Sequence, residues 1–149
     1  MRSIIQQSID IAEVSDLTLP SHSKNQINSC MAYLEVRDSP IIDGRGVFAL
    51  RNFEIGEVVE VCPVIEILKC NIEGSMLNDY VFSSNVGEEY SAVVLGYGMI
   101  YNHADDPNLL WYWDEGSVVF YSVKKIQAES ELFHTYGDAW WQDRGESKI

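Results

Sequence analysis

The sequence predicts a mainly β domain with several small sheets and a few helices of one or two turns. Two observations predict this class. Short apolar segments recur at close spacing with turn residues between them, and almost no segment repeats apolar residues at the helical period. The 149 residues, 46% hydrophobic and 22% charged, are enough for one compact domain and exclude a disordered or fibrous chain.

The candidate strands follow one another from residue 33 onward. A strand over 33–37 and another over 47–50 enclose Gly44-Arg45-Gly46, which predicts a hairpin. The β-branched run 58–68 contains Pro63, which cannot donate to a sheet ladder, so two short strands are expected there instead of one long strand. The remaining candidates are apolar segments at 77–82 and 90–95, a short helix at 99–101, a half-buried strand at 111–113 and a strong strand at 118–123.

The chain divides into an N-terminal extension and a folded domain. Residues 1–30 are rich in Ser, Gln, Asn and Ile and carry turn formers, so we expect a flexible extension; residues 31–149 form the domain. The chain has 10 Lys and Arg against 23 Asp and Glu, a net charge of -13. The extension holds two of the basic and three of the acidic residues, which leaves 8 against 20, a net of -12, in the domain.

This acidity limits the partners. It disfavours nucleic acid and anionic membrane surfaces, so a basic protein or peptide is the expected partner. No apolar run reaches the roughly 20 residues of a membrane span and no secretory signal begins the chain, so we expect a soluble, intracellular protein. Cys30, Cys62 and Cys70 are odd in number and lack CxxC spacing, which predicts free thiols without a disulfide framework or a structural metal site.

Three separated motifs carry the functional signal. In chain order they are Gly44-Arg45-Gly46-Val47-Phe48-Ala49, Asn102-His103 with Pro107-Asn108, and Tyr136-Gly137. A GxG alone is weak evidence because glycine pairs are common in turns, whereas the ordered combination is far more specific. With the segment 79–83 and Trp140-Trp141, these motifs resemble the SET-domain protein lysine methyltransferases over residues 33–141, most closely the small stand-alone viral histone methyltransferases of that family.

The resemblance implies a fold and a reaction. The fold is a set of small β-sheets around a C-terminal pseudoknot, which would bring Asn102-His103 beside Tyr136. The reaction moves a methyl group from S-adenosylmethionine to the ε-amine of a protein lysine, in a histone tail or a similar basic protein, and leaves S-adenosylhomocysteine. Many members close the site with a cysteine-rich zinc segment after the YG, but no cysteine follows Cys70 here, so no metal is expected. Likeness to the viral members implies a homodimer.

The resemblance also assigns the cofactor contacts. The backbone of Arg45 and Gly46 and the side-chain amide of Asn102 would hold the methionine portion, since glycine permits close approach. His103 would meet the adenine mainly through backbone groups; taken alone, it would be a structural histidine in a turn. Tyr80, Tyr136 and Trp141 complete the expected cofactor set.

Tyr136 is the expected catalytic residue. A phenol with a pKa near 10 is a poor general base at neutral pH, so its implied role is to orient the methyl group and the lysine amine. The expected substrate contacts are Tyr80, Tyr97, Tyr101 and Trp140. Outside the resemblance each tyrosine would be a core aromatic, and Trp140 and Trp141 form either an aromatic lid or an anchor for the tail.

Three positions depart from the family pattern. Ala104 replaces the usual Ser or Thr, the segment 129–131 reads Glu-Ser-Glu where the family has Gly-Glu-Glu, and His134 either tunes the pH dependence of the site or is inert. Two rival functions are a catalytically silent module that binds a basic peptide and, if the resemblance is accidental, a small β-rich interaction domain. Retention of Asn102 and Tyr136 favours the enzyme.

Overall fold

The computed structural model describes residues 30–144, in which nine strands form two sheets. The strands are β1 Leu34–Asp38, β2 Arg45–Ala49, β3 Val58–Leu68, β4 Phe82–Ser83, β5 Tyr90–Val94, β6 Asn102–His103, β7 Leu109–Asp114, β8 Ser117–Ser122 and β9 Glu131–His134. Short 3₁₀ helices span Cys30–Tyr33, Lys69–Asn71 and Met76–Asp79, and helix α1 spans Asp138–Arg144. The mainly β prediction is confirmed. The extension predicted for residues 1–30 lies outside the described residues except for Cys30.

The smaller sheet has the strand order β1-β2-β9-β6 and unites the three sequence motifs. Strands β1 and β2 form the predicted antiparallel hairpin, and β9 adds to β2 in antiparallel register. Strand β6 then pairs with β9 in parallel, with Asn102 opposite Phe133 and His103 opposite His134. This pairing brings the Asn-His motif to the strand that precedes Tyr136. The pseudoknot itself stays a prediction.

The larger sheet has the order β4-β5-β3-β8-β7, and its central strand corrects one expectation. Strand β3 runs unbroken through Pro63 instead of dividing into two strands. Its first half pairs with β8 up to Pro63, and its second half pairs with β5 from Val64 onward. Because the partner changes at the proline, its missing N–H removes no bond that either ladder needs.

The other predicted elements differ in outcome. The segments 90–95, 111–113 and 118–123 are confirmed as β5, β7 and β8. The helix expected at 99–101 is wrong: residues 95–100 form successive turns, in which Gly96 has a φ of 77°. Segment 77–82 contributes only part of a 3₁₀ helix and the start of β4. No helix within residues 30–144 is long and apolar enough to cross a membrane.

Side chains from both sheets build the core. Phe53, Val59, Leu109, Val118, Phe120 and Leu132 are completely buried. The carboxyl, amide and imidazole side chains that are buried among the described residues are those of Glu60, Asn102, Glu131 and His134. Burying a polar group is costly unless it is hydrogen-bonded, so these four residues mark where the core serves something besides packing.

Candidate active site

Asn102, on β6, is the centre of one half of the site. Its amide nitrogen Nδ2 donates two hydrogen bonds, to the carbonyl oxygen of Arg45 at 3.0 Å and to Oε1 of Glu131 at 2.8 Å. The side-chain oxygen Oδ1 accepts no hydrogen bond from the part of the chain that the structure describes. The amide is therefore held in one orientation, with an acceptor oxygen left for a ligand.

Glu131 is a site residue that sequence reasoning missed. It is buried at the start of β9, and its second oxygen, Oε2, accepts a hydrogen bond from the Ser39 hydroxyl at 2.8 Å. Its carboxylate lies against Gly46, where an added Cβ would overlap Oε1 and lie 2.6 Å from Cδ. Gly46 thus permits the approach of a carboxylate that aims Asn102. The sequence carried a signal for this residue. Glu131 keeps the final glutamate of the family's Gly-Glu-Glu pattern in the segment that reads Glu-Ser-Glu here.

The predicted cofactor contacts of β2 lie beside this amide. Gly46 is buried, whereas the side chain of Arg45 is exposed. The carbonyl of Arg45 is already bonded to Asn102, so the backbone of β2 and the amide of β6 form one rigid unit.

His103 links β6 to the chain around Tyr136. Its Nδ1 accepts a hydrogen bond from the Tyr136 backbone N–H at 3.1 Å, and its Nε2 lies 3.3 Å from the Asp105 carboxylate. The imidazole ring is also 5.1 Å from the Trp141 ring between centroids. The hydrogen bond at Nδ1 therefore ties the His103 side chain to the backbone at Tyr136.

Tyr136 is surrounded by aromatic rings. Its centroid lies 4.9 Å from that of Trp140, 5.0 Å from His134 and 5.4 Å from His103. Its hydroxyl donates a hydrogen bond to the carbonyl oxygen of Tyr101 at 3.1 Å. Burial raises the pKa of Tyr136 to about 12, with a smaller contribution from nearby Tyr80. The phenol therefore stays protonated at neutral pH and is no general base there.

The three other candidate tyrosines occupy different environments. Tyr80 follows the 3₁₀ helix Met76–Asp79, is 50% exposed and lies close enough to raise the Tyr136 pKa. Tyr97 is half-buried against the core. The Tyr101 side chain is completely buried, and its hydroxyl donates to Oε2 of Glu60 at 2.7 Å. Tyr101 therefore presents its carbonyl, and not its hydroxyl, to Tyr136.

Helix α1 carries Trp140 and Trp141 to the site. Trp141 is buried, and its ring lies nearly parallel to that of Tyr136 at 6.2 Å between centroids. The two tryptophan rings meet edge to face at 4.7 Å. The indole N–H of Trp141 is buried without a hydrogen-bond acceptor among residues 30–144. A buried donor in this state is costly and matches an acceptor atom supplied by a ligand.

The sequence left open whether His134 tunes the pH dependence of the site or is inert. In the structure its ring belongs to the aromatic cluster around Tyr136. It is buried, its ring stacks on Phe82 at 5.4 Å, and it lies edge-on to Phe120. Burial lowers the pKa of His134 to about 3. The imidazole is therefore neutral across the physiological range. Its role in catalysis stays untested.

These residues offer polar atoms and aromatic faces that a cationic cofactor could use. Asn102 Oδ1 is a hydrogen-bond acceptor, and the Trp141 indole N–H is a donor near a cluster of aromatic faces. No three His, Cys, Asp or Glu side chains in the described chain converge in a way that could hold a metal ion. The expected absence of a metal stays a prediction.

The fold and the site together define a class of protein, the SET domain. The chain has small curled sheets and a parallel strand pair that joins an Asn-His motif to the strand before a Tyr-Gly. Aromatic rings surround that tyrosine. A family model described as "SET domain" matches residues 44–137. The chain belongs to the SET domain family.

Relatives support this assignment. The chain is 32% identical over 121 residues to a histone-lysine N-methyltransferase, H3 lysine-37 specific, of Schizosaccharomyces pombe. The aligned region covers 76% of this chain and 80% of that protein. A crystal structure of a candidate histone methyltransferase of Plasmodium falciparum matches with a TM-score of 0.57 and 29% identity, over 73% of this chain and 96% of that one. The likeness to viral members stays a prediction.

One further neighbour concerns the fold alone. A humanized mutant of the Chaetomium thermophilum Polycomb Repressive Complex 2, bound to the inhibitor GSK126, matches with a TM-score of 0.60 and 24% identity. The match covers 70% of this chain but 15% of that one. The SET fold recurs there as a small part of a much larger chain.

Proposed function

We propose that this protein is an S-adenosylmethionine-dependent protein lysine methyltransferase. The observation that carries the proposal is the convergence of Asn102, His103 and Tyr136, which the parallel pairing of β6 and β9 produces in a chain of the SET family. The Schizosaccharomyces pombe relative, which is 32% identical to this chain, is a histone-lysine N-methyltransferase. A module that only bound peptides would need neither the oriented amide nor the buried tyrosine.

The cofactor would lie between β2, β6 and α1. Asn102 Oδ1 and the backbone of Arg45 and Gly46 would hold its methionine portion, the backbone at His103 would meet its adenine, and Trp141 would offer its unpartnered N–H. When bound, S-adenosylmethionine supplies a methyl group on a cationic sulfur, so that the C–S bond breaks as the lysine nitrogen forms its new N–C bond. The proton of the amine leaves to water.

Tyr136 would position the reacting groups. Its hydroxyl hydrogen is committed to the Tyr101 carbonyl, so its oxygen lone pairs remain for the amine N–H or the polarised methyl hydrogens. The aromatic rings of Tyr136 and Trp140, with the exposed Tyr80 nearby, would shield the lysine stem from water. Such a passage lowers the pKa of the lysine amine, because burial disfavours the charged form. Tyr97 remains a candidate for its wall, to which Tyr101 would present its backbone carbonyl.

The substrate would be a lysine in a basic protein, with a histone tail as the first choice. The net charge of -12 in residues 31–149 favours encounter with a cationic segment. A histone target would also place the activity inside the cell. Homodimer formation is a separate part of the proposal, to be tested by the sedimentation coefficient.

The test is transfer of isotope-labelled methyl groups from S-adenosylmethionine to core histones and to a lysine-rich control protein. We expect label on lysine with the unmodified chain and a loss of about a hundredfold or more in Tyr136→Phe. Tyr121→Phe, a buried tyrosine on β8, serves as the matched control and should retain activity.

Cofactor binding, measured by calorimetry, separates the rival functions. Binding without label on either protein would favour the silent peptide-binding module. Absence of both binding and label would overturn the proposal.

A further inference from the structure

The proposed methyl transfer to lysine does not involve the buried carboxyl of Glu60. This residue lies on β3 and is 1% exposed. Oε1 accepts a hydrogen bond from the Tyr97 backbone N–H at 2.9 Å, and Oε2 accepts one from the Tyr101 hydroxyl at 2.7 Å. The Cys62 thiol also hydrogen-bonds to this carboxyl. An ionisable group so deep in the core is destabilising relative to an apolar side chain of similar size unless it serves a purpose.

The turn between β5 and β6 is shaped to receive this carboxyl. Gly96 has a φ of 77°, and a Cβ there would overlap Oε1 of Glu60. Gly98 is as tightly placed, because an added Cβ would overlap Val94 and lie 3.2 Å from the sulfur of Cys62. Gly96 therefore lets the turn approach Glu60, and Gly98 lets it pack against Val94 and Cys62. Glu60 then bonds to the backbone of residue 97 and the side chain of residue 101.

Tyr101 connects Glu60 to the site through its two ends. Its hydroxyl is bonded to Glu60, its ring packs on Phe120 at 4.7 Å between centroids, and its carbonyl accepts the hydrogen bond from the Tyr136 hydroxyl. With the side chain fixed at both the ring and the hydroxyl, the carbonyl oxygen of Tyr101 has little freedom to move. The position of that oxygen decides where the Tyr136 hydroxyl hydrogen points.

We propose that Glu60 is a positioning residue for methyl transfer, acting through Tyr101 on Tyr136. While the Tyr101 carbonyl holds the hydroxyl hydrogen, Tyr136 presents lone pairs to the reacting groups. If the carbonyl shifts, the hydroxyl can rotate and donate its hydrogen to the lysine amine. That hydrogen bond would occupy the nitrogen lone pair that must attack the methyl carbon. This inference rests on the proposed function.

Glu60→Gln and Tyr101→Phe each alter one end of the link. Glutamine keeps the volume and an oxygen for the Tyr97 N–H, but it turns an amide donor toward the Tyr101 hydroxyl. It also removes a buried ionisable group, whose pKa is raised by burial, so the variant should fold. Tyr101→Phe removes the hydroxyl and leaves the carbonyl in the chain.

We expect kcat to fall by about tenfold to a hundredfold in both variants, with the KM for the peptide and the Kd for S-adenosylmethionine changed by less than about threefold. The double variant should be no slower than the slower single variant, because both changes break the same link. Tyr121→Phe is the matched control. Unchanged kcat with a lowered unfolding midpoint would overturn the proposal and leave Glu60 a structural residue.

A second readout does not depend on activity. The ionisation of Tyr136 is followed by ultraviolet difference titration, with Tyr136→Phe as the blank in each background. A displaced Tyr101 carbonyl should change the titration midpoint of Tyr136 in Glu60→Gln, whereas an unchanged midpoint counts against the link. If the unmodified chain transferred no methyl group yet the midpoint moved, the proposed function would fail while the coupling of Glu60 to Tyr136 stood.

Discussion

The carboxylate of Glu131 holds the side-chain amide of Asn102 at 2.8 Å and lies against Gly46 where no side chain fits. This relationship joins three segments that are far apart in the chain: the glycine of β2, the amide of β6 and the carboxylate that opens β9. A substitution at any one of these three residues should therefore displace the side chains or backbone of the other two.

Gly46→Ala should disrupt this arrangement. The new Cβ would overlap the Glu131 carboxylate and lie 3.0 Å from the Asn102 nitrogen, so the carboxylate and the amide must move. We expect a loss of about 1 to 3 kcal/mol in the free energy of unfolding and a weaker affinity for S-adenosylmethionine, measured by urea denaturation and calorimetry.

The matched control is Gly44→Ala, two residues earlier, in the hairpin turn that precedes β2. A Cβ there would meet its nearest neighbour, Ile42, at 3.7 Å, which is an ordinary contact. We expect Gly44→Ala to retain cofactor affinity. Equal effects of the two changes would show that the turn, and not the Glu131 contact, governs binding.

The phenol of Tyr136 should ionise far above the usual range. Burial raises its pKa to about 12, so an ultraviolet titration of the unmodified chain minus Tyr136→Phe should show one tyrosine with a midpoint near that value. Any rise in activity between pH 7 and 10 would then report the lysine amine and not Tyr136. A midpoint below 10 would contradict the buried, uncharged role assigned to this hydroxyl.

His134 should make the stability of the fold depend on pH. Its pKa is about 3 in the native state against 6.5 for an unperturbed histidine, so protons bind preferentially to the unfolded chain. The contribution is fully present above pH 6.5 and is lost as the pH falls toward 3. Between pH 7 and pH 5 the unmodified chain should lose about 2 kcal/mol more than His134→Phe.

Urea unfolding of both chains at each pH measures this difference, in which the carboxylates common to the two proteins cancel. Parallel loss of stability in the two chains would mean that His134 is not buried in the neutral form.

The turn between β7 and β8 offers a stabilising change. Glu115 and Gly116 have φ values of 39° and 80°, and left-handed backbone at both central positions favours Asn-Gly. Glu115→Asn should raise the free energy of unfolding by about 0.5 to 1 kcal/mol, measured by urea denaturation. Glu115→Ala removes the same charge without relieving the backbone, so an equal gain there would assign the effect to charge.

Local residue chemistry predicted most of the strands and the places where the chain turns. Alternating and β-branched runs indicated β5, β7 and β8, and Pro63 marked the point at which β3 exchanges partners. The continuity of β3 was missed because it depends on two neighbouring strands lying on opposite sides. The helix at 99–101 was wrong because Glu60 binds the Tyr97 N–H and the Tyr101 hydroxyl across this segment, and only the folded chain places that carboxyl there.

One departure from the family pattern has a visible physical reason. The family usually has glycine where this chain has Glu129, and the backbone there has a φ of 71°, a conformation that glycine adopts without strain. Here the side chain gains a partner, since its carboxylate lies 2.8 Å from the Arg37 guanidinium. The sequence showed the departure, but the positive φ and the ion pair needed the structure.

The order of motifs along the chain was enough to predict the family and to select Asn102 and Tyr136 as candidate site residues, and the spacing of short apolar segments was enough to predict the mainly β class. The burial and the hydrogen-bond partners of Glu60, Glu131 and His134 were decided by tertiary structure. Each is a polar side chain whose environment depends on burial and on partners 29 to 92 residues away or on another strand. Burial changes the free energy of a charge and fixes its hydrogen bonds, and neither effect exists until the sheets have packed.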